Sequence, residues 1–264
     1  MLVIGPIEAG KTTFVARLAT AFHARGLTVA IVDADVGQSE IGPPATIGIG
    51  AVRRPLERTG DAELVRFEFV GVTSPGRQPW RTAELTGRLA AQARADFDRV
   101  IVDTSGFVTG GFAAAVKQRK IAAVDPDAVV AVQGAGECEH ILRALPAGPR
   151  TRVLRVPAVR GARARNPAAR RSHREAALAT HLVGGRSSVL DAGRVPLRSL
   201  RGEPVALADV VAGVLVAMHD TRGDTRALGV VIGVDAGAGT LTVRTTRPAR
   251  EVKSVTVGEV NASA

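Results

Sequence analysis

Unbroken apolar runs, rather than alternating ones, mark the first half of this chain. Leu2 to Ile4, Leu27 to Val32, Val100 to Asp103 and Ala128 to Gln133 each read as a strand buried on both faces, the pattern of a parallel sheet. Between them, apolar residues recur at helical spacing. Phe14, Leu18 and Phe22 lie on one face of a helix expected from Thr12 to Arg25, which Gly26 stops. Arg81 to Asp96 and Phe112 to Lys120 read as two further helices, and Gly136 to Leu145 as a short one carrying Ile141, Leu142 and Leu145 on one face. Leu64 to Val72 alternates like a strand, whereas Gly42-Pro-Pro44 and Gly48 to Gly50 read as loops. From Leu228 onward the pattern turns to β. Leu228 to Val234, Thr240 to Thr246 and Val252 to Val257, separated by Gly- or Pro-containing turns, predict a small antiparallel sheet or barrel.

The turn after the first strand carries chemistry. Gly5, Pro6, Ile7, Glu8, Ala9, Gly10, Lys11 and Thr12 spell the phosphate-binding loop G-x-x-x-x-G-K-T, set between a strand and a helix as that motif requires. Backbone N–H groups from Glu8 to Thr12 are expected to cradle phosphates at the positive end of the helix. Lys11 then reaches the β and γ phosphates, the Thr12 hydroxyl ligates Mg²⁺, and Thr13 lies near the α phosphate. The expected fold is α/β: a P-loop nucleotide-binding domain over residues 1–200, with a mostly parallel sheet flanked by helices, and a small β-rich domain over 201–264.

Two other strands end in acid. Leu27 to Val32 runs into Asp33-Ala-Asp35, and if the strand continues only one carboxylate can face the phosphates. Asp33 is favoured as metal-side carboxylate and general base, with Asp35 as the alternative and an Asx turn as the bland role of the other. Val100 to Asp103 has the Walker-B pattern and is followed by Thr104, Ser105 and Gly106, so Asp103 or Thr104 is expected to line the site. Gly106 and the Gly110-Gly111 pair would let backbone approach a ligand.

Lys and Arg number 35 against 25 acidic residues, a net charge of +10, which suits a polyanionic partner; an Arg-rich genome is the alternative source of that charge. Seven arginines, 155, 160, 163, 165, 170, 171 and 174, crowd a segment from about 155 to 182. This segment reads either as a solvated basic face or as a lid whose Arg163, Arg170 and Arg174 close over a triphosphate. His173 reads as a surface residue. Trp80, the single tryptophan, either stacks on a substrate base or packs on its own loop. The single Cys138 excludes a disulfide framework and fits a cytoplasmic protein, and no apolar run suggests a membrane span or a signal peptide.

Taken together, these segments resemble the Clp1/Grc3-type polynucleotide 5′-hydroxyl kinases, especially their archaeal-like members. The resemblance rests on Gly5 to Thr13, on Val32-Asp-Ala-Asp-Val-Gly-Gln-Ser-Glu-Ile-Gly-Pro-Pro44, on Phe69 to Pro75, on Asp103-Thr-Ser-Gly-Phe-Val108 and on Glu137 to Leu142. It covers residues 1 to about 180, and the Asp-x-Asp-x-Gly-Gln stretch is its most discriminating part. The resemblance implies transfer of the γ-phosphoryl group of ATP, or another NTP, to the 5′-hydroxyl of RNA or DNA. It implies that Lys11 and Thr12 serve the triphosphate and Mg²⁺, that Asp33/Asp35 supply metal binding and the base, and that Gln38 lies near the phosphates. Thr104, Ser105 and Gly106 would lie near the acceptor, and the arginine-rich segment would be the lid. Members commonly carry a β-rich domain ahead of the P-loop, whereas only four residues precede it here, so either that domain is absent or the sequence is trimmed, and substrate docking is expected to differ accordingly.

Two other function classes compete. A switch-type GTPase or ATPase is disfavoured, because neither a guanine-reading Asn/Thr-Lys-x-Asp sequence nor an extra lysine early in the P-loop is present. A nucleotide-bound, non-catalytic scaffold in RNA processing shares the same motifs and differs only in lacking phosphoryl transfer.

Overall fold

The structure, a computed structural model, describes residues 1–145, 151–158, 167–246 and 252–262. The apolar runs become the middle of a seven-stranded sheet. Its parallel core comprises β1 (Leu2–Ile4), β2 (Val29–Ala34), β5 (Arg99–Thr104), β6 (Ala128–Gln133) and β7 (Arg152–Pro157). Two further strands, β3 (Thr46–Val52) and β4 (Glu63–Phe69), extend one side antiparallel, giving the order β4-β3-β2-β5-β1-β6-β7. Helix α1 (Lys11–His23) covers one face through Val15, Ala16 and Ala19. The other face carries α2 (Pro79–Asp96), α3 (Gly110–Val124) and the short α4 (Glu139–Leu142), with Leu85, Leu89, Ile121 and Ile141 in the core. This three-layer order puts the loops after β1, β2 and β5 together at the carboxyl edge of the sheet, where open α/β sheets take ligands.

β3 corrects the loop expected at Gly48 to Gly50. Both glycines are needed by neighbours rather than by a turn. A Cβ on Gly48 would run into the carbonyl of Ile41, and one on Gly50 would lie 2.8 Å from Ala62 Cβ and 2.9 Å from Ile41 Cδ1. The strand accepts its glycines so that the loop carrying Ile41 can lie against it.

The second sheet has the order β8-β12-β11-β10-β13-β9 and is antiparallel except for the β13–β9 pair. Its members are β8 (Arg186–Asp191), β9 (Leu197–Arg198), β10 (Val214–His219), β11 (Thr225–Asp235), β12 (Thr240–Thr245) and β13 (Ser254–Asn261). It therefore draws in residues from Arg186, ahead of position 200. Leu241, Val243, Val255 and Val216 fill its own core, while Leu215, Ala217 and Leu228 turn toward the first sheet. The two sheets meet at β4. Thr225 donates to Glu68 at 2.7 Å, the Phe69 N–H donates to the Thr225 hydroxyl at 3.3 Å, and Arg88 pairs with Glu68 at 3.1 Å. Arg81 from α2 donates to the carbonyls of Phe69 and Leu200, bridging the same junction.

Helix α5 (Pro167–His181) lies between the two sheets and carries part of the arginine-rich segment. Arg155 lies instead on the edge strand β7, paired with Glu139 at 2.8 Å, because Val153 and Val156 give that segment a strand's partly buried face. Arg160, Arg163 and Arg165 lie outside the described residues. Among the described residues, no helix is long and apolar enough to cross a membrane.

Candidate nucleotide and phosphoryl-transfer site

The P-loop is held in shape from both sides. Glu8 and Gly10 take positive φ values of 63° and 87°, the second at the N-cap of α1, and the Ala9 N–H donates to the Pro6 carbonyl at 3.3 Å, so the loop doubles back into the helix. A Cβ on Gly5 would strike the Val132 carbonyl on β6, and one on Gly106 would lie 2.6 Å from both N and Cα of Ile7. Gly106 thus lets the loop after β5 press on P-loop backbone. A Cβ on Gly110 or Gly111 would meet nothing within 4 Å, so neither glycine is required by a protein neighbour among the described residues.

Lys11 is buried, its ammonium donating to the Pro6 carbonyl at 2.7 Å; burial lowers its pKa, opposed by Asp103 and Asp35. The Thr12 hydroxyl donates to Asp103 Oδ2 at 2.9 Å. Asp103 Oδ1 is buried without a hydrogen-bond partner among the described residues, and burial pushes its carboxyl pKa up to about 6 despite Lys11. A hydroxyl beside an unpartnered buried carboxylate oxygen is a donor set that fits Mg²⁺, which takes one or two carboxylates and completes its shell with phosphates and water. Among the described residues no group of three or more His, Cys, Asp or Glu side chains forms a metal cage, which matches that sparse mode.

The structure separates Asp33 from Asp35. β2 ends at Ala34, and Asp33, aligned with Asp103 on β5, turns inward. Its carboxylate accepts from the N–H of Asp35 at 3.1 Å, Glu40 at 2.7 Å and Ile41 at 3.0 Å, and from the Ser39 hydroxyl at 3.2 Å. Burial, then Asp103, raises its pKa to about 7. Asp33 is therefore engaged in holding its own loop, contrary to the expectation that favoured it over Asp35. Asp35 is half-buried, and among the described residues only its Oδ1 is engaged, by the N–H groups of Gly37 and Gln38 at 3.1 Å each. Gln38 donates to the Arg170 carbonyl at 3.4 Å, and its Oε1 is buried without a partner among the described residues.

Thr104 and Ser105 face inward as well. Thr104 donates to the Val3 carbonyl at 2.7 Å and accepts from the Lys117 ammonium at 2.9 Å, while Lys117 also reaches the Ser105 carbonyl and hydroxyl. An acceptor-facing role for these two hydroxyls does not match this packing, which closes the back of the site. Lys117 and its neighbour Lys120 were invisible as site residues in the sequence, where lysines on a helix read as solvated. Both are fully buried, Lys120 donates to the Ala34 carbonyl at 3.0 Å, and burial lowers both pKa values, that of Lys120 to about 8. They counter the charge of Asp33, Asp35 and Asp103 from behind.

Of the lid candidates, Arg170 comes over the P-loop, 3.6 Å from Glu8, whereas Arg174 lines a cleft between α5 and the second sheet. Arg163 lies outside the described residues. Thr13 is exposed on α1. Trp80 sits in the first turn of α2, 60% exposed, with one ring face covered by the Arg119 guanidinium 2.9 Å from its centroid; a base could use only the other face. Cys138 is buried at the start of α4.

Comparisons with known proteins bear on the family and the fold. A polyribonucleotide 5′-hydroxyl-kinase of Thermococcus kodakarensis is 37% identical over 145 residues, covering 55% of this chain and 41% of the relative. Polyribonucleotide 5′-hydroxyl-kinase Clp1 of Xenopus tropicalis is 30% identical over 200 residues, covering 72% of this chain and 45% of the relative. The chain thus spans less than half the length of these relatives. A solved complex of Clp1p with Pcf11p superposes with a TM-score of 0.74 over 98% of this chain and 74% of that one, at 12% identity, a likeness of fold. The family described as mRNA cleavage and polyadenylation factor CLP1 P-loop matches residues 5–184. With its P-loop, its Asp33-to-Gln38 turn and its two-sheet architecture in place, the chain belongs to the CLP1 P-loop family.

Proposed function

We propose that this chain is a polynucleotide 5′-hydroxyl kinase, transferring the γ-phosphoryl group of ATP or another NTP to the 5′-OH of RNA or DNA. The observation that carries the reading is the half-exposed Asp35 carboxylate, with one oxygen unengaged, on a turn that shares its neighbourhood with Lys11 and Asp103. A hydrolase needs to position water; a carboxylate of this kind can take the proton of an attacking hydroxyl. The names of the relatives support the same reaction class.

In this reading, P-loop N–H groups and Lys11 hold the β and γ phosphates. Thr12 and Asp103 hold Mg²⁺, which supplies neutralisation of phosphate charge when bound. Asp35 orients and deprotonates the terminal hydroxyl, with Asp33 fixing the turn that carries it. Arg170 can exchange its partner Glu8 for phosphate oxygens as α5 closes, and Gln38 links that helix to the turn. Positioning and electrostatics carry nearly all of the rate. Incubation with γ-labelled ATP, Mg²⁺ and a 5′-OH oligonucleotide should label the oligonucleotide. Folded protein that binds ATP but transfers no label to RNA or DNA would favour the non-catalytic scaffold.

A further inference from the structure

The site has a neighbour that the phosphoryl-transfer chemistry does not use. Between α5 and the face of the second sheet that carries Leu215 and Val230 runs a cleft of about 810 Å³, whose lining includes Arg77, Arg171, Arg174 and Arg244. Two of these cations are balanced, Arg77 by Glu259 at 2.7 Å and Arg171 by Glu175 at 2.7 Å. Arg174 and Arg244 have no ion pair among the described residues, and the lining keeps a net positive charge of two from four arginines and two glutamates.

The cleft is continuous with the site. Thr73 lines it and places its carbonyl 2.7 Å from where a Cβ on Gly37 would stand, so its wall touches the Asp35-to-Gln38 turn. Pro44, later in the same loop, lines it too. Along α5, Arg170 faces the P-loop while Arg171 and Arg174 follow on the cleft side. Arg244 stands at the other end. It projects from β12 beside Thr245, whose backbone lies 3.3 Å from a Cβ built on Gly185, just beyond the end of α5. On β12 the alternation sends Leu241 and Val243 into the sheet's core and leaves Arg244 on the exposed face, beside Val230 and the 48%-exposed Ile232.

We infer that this cleft is the track for the acceptor strand, a single-stranded nucleic acid whose 5′ end reaches Asp35 and whose backbone passes Arg174 and then Arg244. A groove with unbalanced cations at intervals and apolar side chains between them suits phosphates at intervals and bases between them. From Arg170 to its end at His181 α5 rises roughly 17 Å at about 1.5 Å per residue, which matches about five stacked nucleotides at roughly 3.4 Å each. The inference rests on the kinase reading for the direction of the strand, but the cleft's affinity can be measured without catalysis.

The test uses 3′-fluorescein oligouridylates with free 5′-OH ends, 2, 4, 6, 8 and 12 nucleotides long, in anisotropy titrations and label transfer. Affinity should rise with length to about five nucleotides and then level off. Arg244→Glu should weaken binding of the eight-mer about tenfold or more, leave the dinucleotide's KM and the KM for ATP unchanged, and reduce the salt slope by about 0.7 or more. Label transfer with a length-independent KM, or an Arg244→Glu protein that binds the eight-mer as wild type does, overturns the track and leaves the kinase reading standing. Arg244-dependent binding without label transfer to any acceptor upholds the cleft and refutes the kinase reading. Arg244→Lys, which keeps the charge, should recover most of the binding lost in Arg244→Glu; failure to recover it counts against a phosphate contact.

Discussion

Gly106→Ala tests how the P-loop is shaped. The added Cβ would stand 2.6 Å from Ile7 N and Cα, atoms of the P-loop backbone rather than the tip of a flexible side chain. Ordinary contact begins at about 3.4 Å, so something must yield by roughly 0.8 Å. The loop after β5 is pinned by Lys117 on Ser105 and by Thr104 on Val3, so the P-loop is the part expected to move. Overpacking of this kind typically costs about 1–3 kcal/mol of stability. Displacement of phosphate-binding N–H groups by nearly 1 Å costs on the order of a hundredfold in rate. The assay pairs thermal unfolding with ATP titration and label transfer. Gly106→Ala should remain folded, bind ATP at least tenfold more weakly and lose about two orders of magnitude in kcat/KM. Gly111→Ala is the control, since a Cβ there meets nothing within 4 Å, and it should behave as wild type. If Gly106→Ala binds ATP with wild-type affinity, the claim that the loop after β5 buttresses the P-loop is wrong.

Asp35→Asn keeps the oxygen that accepts from Gly37 and Gln38, so it should unfold within a few degrees of wild type while kcat for label transfer falls by about 10²–10⁴. A folded Asp33→Asn protein with a larger loss of kcat, beside an active Asp35→Asn, would return the base to Asp33. His219 gives the pH dependence. Burial, then Arg81, holds its pKa down at about 4, against 6.5 for an exposed imidazole, so the fold contains it neutral. Its contribution is fully present above pH 6.5 and is lost as pH falls toward 4, at most about 3 kcal/mol at roughly 1.4 kcal/mol per pH unit. Urea midpoints of wild type and His219→Gln should converge between pH 6.5 and 4; parallel curves would show that His219 is not the group responsible.

The parallel core was legible because strands buried on both faces must be apolar throughout, and because a P-loop needs its lysine and hydroxyl at fixed places. Asp33 and Asp35 were legible as a pair but not in their division of labour. β2 stops at Ala34, and the alternation that would sort two carboxylates by face stops with it. β3 was hidden because glycines normally mark turns, and it is the approach of Ile41, with Ala62 at Gly50, that explains Gly48 and Gly50. Lys117 and Lys120 were hidden for a related reason. A lysine's burial depends on which carbonyls and carboxylates wait for it, and those lie on Ala34, Ser105 and Asp103, distant in sequence. Arg155 was grouped with the arginine-rich segment, read as a lid or a solvated basic face, because an edge strand dotted with arginines lacks the continuous apolar run of the other parallel strands.

The junction at β4 bears on solubility. β4 is an outer strand of the first sheet, a position where unpaired backbone groups invite other chains to add on. Here the Thr225 hydroxyl occupies the Phe69 N–H, Arg81 occupies the Phe69 carbonyl, and the second sheet stands over Glu68. The C-terminal sheet thus acts as a guard on an adhesive border. Removing it would uncover a strand edge together with Leu200- and Leu215-facing apolar surface, so a P-loop half made alone should tend to self-associate even with every phosphate-binding residue in place.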